Sequence, residues 1–262
     1  MKAIICAAGL GTRLAPLTDA APKCLLPVYN KPMIHYALSA IQATVISKVC
    51  IVIHPDYAHM FSQVVADGSD YDLDVTYKVQ AQPSGVCDAI ALCQDFIDGD
   101  NFLMLMGDNI IFDDLTQVTQ DFESGCNILL TQVQDPRRFG VADFDENNKL
   151  INLIEKPENP PSNFAWTGVA LFDSKFFEYA KNIELSPRGE FETNDVIQQY
   201  IQAGTAECQS LVYPWFDAGT HHDLVRASSY VKSLVDTAKS SDRQHGSIAD
   251  LATLRKAILI NQ

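Results

Sequence analysis

The sequence predicts an α/β protein: a Rossmann-like, mainly parallel sheet flanked by helices, with a smaller β insertion in its second half. Three observations carry this. Short unbroken apolar runs at 3–8, 49–53 (in a strand starting at Lys48) and 102–106 suit strands buried on both faces of a parallel sheet. Segments with apolar residues at helical spacing separate them, the alternation that builds βαβ units. From Phe139 the texture changes to strands broken by turns rich in Pro and Asn.

The run Ala3-Ile4-Ile5-Cys6-Ala7-Ala8 stops at Gly9, so the first strand ends there. A loop rich in Gly, Thr and Pro follows. Pro32 then suits the first turn of a helix whose Met33, Tyr36, Ala37 and Ile41 share a face. The strand at 48–53 closes on His54-Pro55. Next come a helix at 57–66, a strand at 75–79, a helix at 86–96, the strand at 102–106, a helix at 115–122 and a strand at 128–133. In the second half, 140–144, 150–154 and 164–172 read as strands, with helices at 175–182 and 194–203. A strand ending at Val212-Tyr213 and a helix at 221–235 complete the pattern, and a polar tail turns helical at 248–258. Ligands of such a sheet gather at the carboxyl ends of its strands.

Composition narrows the function. With 262 residues and 47% hydrophobic content the chain can bury a large core. Its formal charge of −14, from 33 acidic and 19 basic side chains, opposes general binding to nucleic acid or anionic membranes. Any phosphate site must be a local basic pocket. Seven cysteines, with no Cys-x-x-Cys pair, indicate reduced thiols and a cytoplasmic location. Residues 1–8 lack the regions of an export signal, and no stretch approaches the roughly 20 apolar residues of a membrane span.

The first chemical motif is Ala8-Gly9-Leu10-Gly11-Thr12-Arg13, with Pro22-Lys23 shortly after it. Glycines here let backbone N–H groups approach phosphate oxygens, and Arg13 and Lys23 add the positive charge. It is not a dinucleotide fingerprint, because Leu14 stands where a third small residue is required. Nor is it a Walker A loop, because Gly11-Thr12-Arg13 replaces Gly-Lys-Ser/Thr. Alone, the motif is better read as a glycine turn with two solvated cations. Gly107-Asp108-Asn109 puts a carboxylate at the end of an apolar strand, and Trp215-Phe216-Asp217-Ala218-Gly219-Thr220-His221 supplies another.

The opening 2–14, with Pro16-Leu17-Thr18 and Pro22-Lys23-Cys24-Leu25-Leu26-Pro27-Val28, closely resembles that of the sugar-phosphate nucleotidyltransferases. The later motifs look most like those of thymidylyltransferases acting on glucose 1-phosphate, and the resemblance runs from Met1 to about Ala227. It implies a nucleotidyltransferase domain over 1–237, with a nucleotide-binding half at 1–135 and a sugar-binding half at 136–237. The remainder, 238–262, is a helical tail and a candidate oligomer contact.

The implied substrates are a nucleoside triphosphate, dTTP favoured, and a sugar 1-phosphate, glucose 1-phosphate favoured. The implied cofactor is Mg²⁺, held by Asp108 and Asp217, since such a hard cation takes one or two carboxylates and completes its shell with phosphate and water. Catalysis falls to Arg13, Lys23 and Lys156. The nucleotide side comprises Ala8, Gly9, Gly11, Thr12, Gln80, Gly85 and Asp108, and the sugar-phosphate side comprises Asn109, Gly140, Glu155, Lys156, Gly168 and Arg188. Gln80 can show a pyrimidine both a donor and an acceptor. Asp195 reads as a helix cap. Uridylyl or cytidylyl transfer to another phosphate is a rival within the class, and a silent nucleotide-sugar-binding regulatory subunit is a rival outside it.

Overall fold

The structure of the chain, a computed structural model, describes residues 1–82 and 84–241. The expected tail helix at 248–258 lies outside the described residues, as do the rest of the tail beyond 241 and Pro83.

In chain order the elements are β1 (Lys2–Cys6), β2 (Pro27–Val28), β3 (Lys31–Pro32), α1 (Ile34–Gln42), β4 (Lys48–Ile53), α2 (Ala58–Val64), β5 (Asp74–Val79), α3 (Val86–Ala91), α4 (Gln94–Ile97), β6 (Phe102–Met106) and β7 (Asn109–Ile111). Then follow α5 (Thr116–Asp121), β8 (Cys126–Gln132), β9 (Gly140–Phe144), β10 (Leu150–Glu155), β11 (Phe164–Phe172), α6 (Phe176–Ala180), α7 (Thr193–Gln202), β12 (Ala206–Ser210), β13 (Trp215–Asp217) and α8 (His221–Ser241).

Among the described residues, nine strands form one sheet in the order β10-β9-β11-β6-β1-β4-β5, with β8 paired to β11 and β12 to β8. The strands β6, β1, β4 and β5 are mutually parallel. β11 is antiparallel to β6, β8 and β9, β12 is parallel to β8, and β10 is antiparallel to β9. Only β10 and β11 therefore run against the common direction, so the sheet is mainly parallel, as the sequence predicts.

The unbroken apolar runs have a direct explanation. Successive strand side chains point to opposite faces, and here both faces are covered. Ala3, Ile5, Val49, Ile51, Leu103 and Leu105 join one core with Ala37, Ile41, Val231 and Leu234 of α1 and α8. Ile4, Cys6, Cys50, Val52, Phe102 and Met104 join the other with Ile90, Phe176, Ile197 and Tyr200 of α3, α6 and α7.

Five expectations need correction. Pro32 does not open α1 but lies in β3, paired with Pro27, and the helix begins at Ile34. The helix expected at 86–96 is two pieces, because the Cys93 N–H bonds back to the Ile90 carbonyl in a tighter turn and the helix restarts at Gln94. The strand expected to end at Val212-Tyr213 stops at Ser210, because the buried Asp113 carboxylate accepts the Val212 and Tyr213 N–H groups at 2.7 and 2.9 Å and draws the chain off the sheet. α7 begins at Thr193, so Asp195 is not its cap and lies within the first turn, where it still opposes the helix dipole favourably. α8 runs past 235 because Ala238 continues its apolar face onto the core.

The site depends on a two-stranded element that was not anticipated. β13 pairs antiparallel with β7, setting Asp217 opposite Asn109 and Phe216 opposite Ile110. The Ala218 N–H also reaches the Asp108 carbonyl at 3.3 Å. This short ladder carries the distant Trp215–Asp217 segment to the end of β6.

Phe102 anchors the second core, with its ring centroid 5.5 Å from Phe172 and 5.6 Å from both Phe176 and Phe177. Phe102→Ala is expected to cost about 3–5 kcal/mol in urea unfolding. A cost under about 1 kcal/mol would show that this face is not packed as described.

Candidate active site

β1, β5 and β6 run parallel, so the loops after all three open at one edge of the sheet. The loop after β1 turns through Gly11 in the left-handed region (φ 65), where a Cβ would sit 2.8 Å from the Lys23 Cβ and 2.9 Å from Thr18. Glycine is needed to bring Lys23 beneath the loop. Its ammonium bonds the Asp108 carboxylate and lies 3.8 Å from Asp217 Oδ1. The two aspartates expected to share a role thus converge, with Lys23 between them.

Electrostatics at this cluster is unbalanced. Burial raises the cost of charge on Asp108, but Lys23 outweighs it and the carboxyl is held below its usual range. Burial and the neighbouring Asp108 push Asp217 up to about 6. Burial disfavours the charged Lys23 too, yet the two carboxylates raise its pKa. Arg13 closes the group from the exposed loop: a Cβ on Gly219 would fall 2.7 Å from Asp217 Oδ1 and 3.1 Å from an Arg13 guanidinium nitrogen. Two carboxylates facing one ammonium can hold a hard divalent cation. No group of three or more His, Cys, Asp or Glu is so arranged among the described residues.

Two adjoining hollows lie at this edge of the sheet, and the cluster lines the larger of them. The smaller, about 150 Å³, is lined by Ala8, Gly9, Gln80, Gly85, Val86, Ala89, Met106 and a few neighbours, a mostly apolar slot with an amide at its end. Gly11 and Thr12 stand in the loop outside this lining. The larger cleft, about 530 Å³, contains Arg13, Lys23, Asp108, Asn109, Gly140, Glu155, Lys156, Gly168, Arg188 and Asp217. Val86, Met106 and Glu190 border both, so the two hollows are continuous.

In the larger cleft Glu155 is the hub. Its Oε1 meets Lys156 Nζ at 2.9 Å and Arg188 at 3.1 Å, while Asn194 donates to Oε2 at 3.0 Å. Arg188 also reaches both Glu192 oxygens at 2.8 Å, so this expected phosphate ligand is paired with carboxylates. Asn109 is buried, and its amide donates to the Thr167 carbonyl, which holds β11 against β7. Gly140 leaves room for Asn194, whose Nδ2 would lie 2.9 Å from a Cβ there, and Gly168 leaves room for Met106 at 2.6 Å.

Several lining residues escaped the sequence reading. Arg138 enters the cleft and pairs with Asp223 at 2.6 Å. Glu192 and Asn194 also line the cleft, although the sequence singles out neither as a site residue. Of the cysteines near the site, burial pushes the Cys6 thiol well up, and Cys24 and Cys87 up to about 12, which disfavours the reactive thiolate at all three.

A family model for nucleotidyl transferases matches residues 2–233. The chain is 38% identical over 240 residues to a glucose-1-phosphate thymidylyltransferase of Neisseria meningitidis, covering 89% of this chain and 83% of the relative. It is 35% identical over 258 residues to the low-salt glycan biosynthesis nucleotidyltransferase Agl11 of Haloferax volcanii, covering 97% and 71%. A crystal structure of a Bacillus anthracis protein in complex with sucrose superposes with a TM-score of 0.84 at 34% identity, covering 96% of this chain and 99% of that one. With a match from residue 2 to 233 and relatives aligned over most of their length, the chain belongs to the nucleotidyl transferase family.

Proposed function

We propose that the chain transfers a nucleotidyl group from a nucleoside triphosphate, dTTP favoured, to a sugar 1-phosphate, glucose 1-phosphate favoured, in a Mg²⁺-dependent reaction. The observation that carries this reading is the junction itself. A narrow apolar slot suited to a base adjoins a wide polar cleft suited to a sugar along Val86, Met106 and Glu190, and Lys23, Asp108, Asp217 and Arg13 line the cleft. The activity of the Neisseria relative supports the choice of substrates.

The reaction is an in-line displacement. An oxygen of the sugar 1-phosphate attacks the α-phosphorus; the new O–P bond forms as the bond to the β-phosphate breaks, and pyrophosphate leaves. No covalent intermediate on the protein is needed, since the attacking phosphate is already anionic. The chain's task is to align two anions and neutralise their charge. Alignment alone can contribute about 7–11 kcal/mol of barrier lowering. Arg13 stands at the mouth of the cluster to meet the triphosphate, and Lys156 stands in the cleft beside Glu155 to meet the acceptor phosphate. Glu155, held by Asn194 and Arg188, accepts from sugar hydroxyls.

Asp108 and Asp217 fit Mg²⁺ as donors: both are carboxylates, only one ammonium compensates them, and phosphate and water would fill the remaining positions. When bound, the ion neutralises charge on the α-phosphate and the leaving pyrophosphate.

Pyrophosphate release with dTTP and glucose 1-phosphate, each also replaced by other triphosphates and sugar 1-phosphates, tests the reading; no release with any pair would end it. Chelation by EDTA is expected to abolish release and excess Mg²⁺ to restore it. Arg13→Ala and Asp217→Asn are each expected to lower kcat by about 10²- to 10³-fold, with circular dichroism unchanged. Glu155→Gln is expected to raise KM for the sugar 1-phosphate about tenfold or more, leaving KM for the triphosphate within about twofold; equal effects on both would place Glu155 outside the sugar site.

A further inference from the structure

Gln80 closes the small slot, and the way its amide is held decides what it can offer a ligand. The residue follows β5, its own N–H still bonded to the Ile53 carbonyl at 3.0 Å, and it is 6% exposed. Its Nε2 donates to the Gly85 carbonyl at 3.0 Å and to Asp88 Oδ2 at 2.9 Å. An amide nitrogen carries two hydrogens, and both are taken. Gly85 accepts from its place in a left-handed turn (φ 105), where a Cβ would sit 2.6 Å from the Phe191 carbonyl, so that acceptor is fixed too. The Ser84 hydroxyl donates to the same Asp88 oxygen at 2.6 Å and holds the carboxylate in place.

The opposite orientation of the amide is excluded by charge. Turning Gln80 over would set its Oε1 against the Asp88 carboxylate and the Gly85 carbonyl, acceptor to acceptor, and the one hydroxyl at hand, Ser84 at 3.4 Å, already donates to Asp88. A buried polar group left without its hydrogen-bond partner bears its full desolvation cost. The donor end is therefore committed inward and only the carbonyl oxygen is left to the slot. Ala8, Val86, Ala89 and Met106, which line the slot around it, offer apolar surface suited to a flat ring.

We propose that Asp88 is a positioning residue for base selection: by fixing the Gln80 amide with its carbonyl outward, it makes the slot select bases that present a ring N–H. This rests on the reading of the slot as the base site. Uracil and thymine carry such an N–H at N3. Cytosine has a lone pair at the same position, which faces the carbonyl oxygen acceptor to acceptor. Sites built to pair a specific polar group reject a partner lacking it far more strongly than apolar pockets reject a misfit.

The test compares dUTP with dCTP, which differ only along that base edge, by kcat/KM for pyrophosphate release with one sugar 1-phosphate. Wild type is expected to favour dUTP by about a hundredfold or more. Asp88→Asn exchanges the carboxylate for an amide that can donate to Gln80 Oε1 and permits the flip. The preference is expected to shrink by at least about tenfold, with KM for the sugar 1-phosphate unchanged. A variant that loses activity on both nucleotides equally, at constant ratio, overturns the proposal. So does a wild type that accepts dCTP as well as dUTP, a measurement that needs no variant. If Asp88→Asn does not fold, Asp88→Ser, whose hydroxyl can also donate, gives the same comparison. Absence of release with any triphosphate overturns the functional reading itself, a result distinct from a changed base ratio.

Discussion

The convergence of Asp108 and Asp217 on Lys23 is the constraint around which the rest of the site is arranged. Two carboxylates and an ammonium packed together out of water attract and repel strongly, and an uncompensated charge there costs several kcal/mol. The pKa directions express the imbalance: one carboxylate is satisfied by the lysine and the other is driven toward its neutral form. Such a cluster persists only if the backbone holds it. Gly11 lets the first loop close over Lys23, the parallel pairing of β1 and β6 puts that loop beside Asp108, and the β7–β13 ladder fixes Asp217 from the far end of the chain.

The larger cleft follows from β11, one of the two strands that run against the common direction. β11 lies antiparallel between β6 and its neighbours, and its register with β8 shifts between Trp166 and Ala170. Trp166, Thr167 and Gly168 all line the cleft at that irregularity. A bulge re-aims side chains and interrupts pairing, and here it opens the sheet surface beside the charged cluster. The Asn109 amide, which donates to the Thr167 carbonyl, ties this irregular stretch to the corner where Asp108 and Asp217 converge. The same residue that the family resemblance assigns to the sugar side thus also has a framework task.

The strands were legible because burial on both faces leaves unbroken apolar runs, as at Ile4, Ile5, Cys50 and Ile51, and both neighbours of such residues belong to packed cores. The β7–β13 pair was not legible. It is three residues long on each side, and its stability comes from tertiary docking, including the Asp113 clamp, instead of from a period in either segment. The glycine loop and the two aspartates could be named from sequence because their motifs together resemble those of the sugar-phosphate nucleotidyltransferases; each alone also describes an ordinary turn or cap. The network of Glu155 with Arg188, Glu192 and Asn194, and the hold of Asp88 on Gln80, were invisible. Polar residues in turns look alike until the fold decides which of them face each other.

That network also explains how a chain with a formal charge of −14 can handle two anionic substrates. The cleft holds Arg13, Lys23, Arg138, Lys156 and Arg188, and all but Arg13 are ion-paired among the described residues. Each carboxylate partner orients its cation in advance and lowers the potential seen by an arbitrary anion. A phosphate in the correct place can take over or share those pairs, because a charge-assisted bond to phosphate is as strong as one to a carboxylate. A phosphate elsewhere meets the negative field of the whole molecule. Global repulsion and locally paired cations therefore act together: the site attracts anions only where the geometry lets them replace a carboxylate, and selectivity for phosphorylated substrates follows from position as much as from charge.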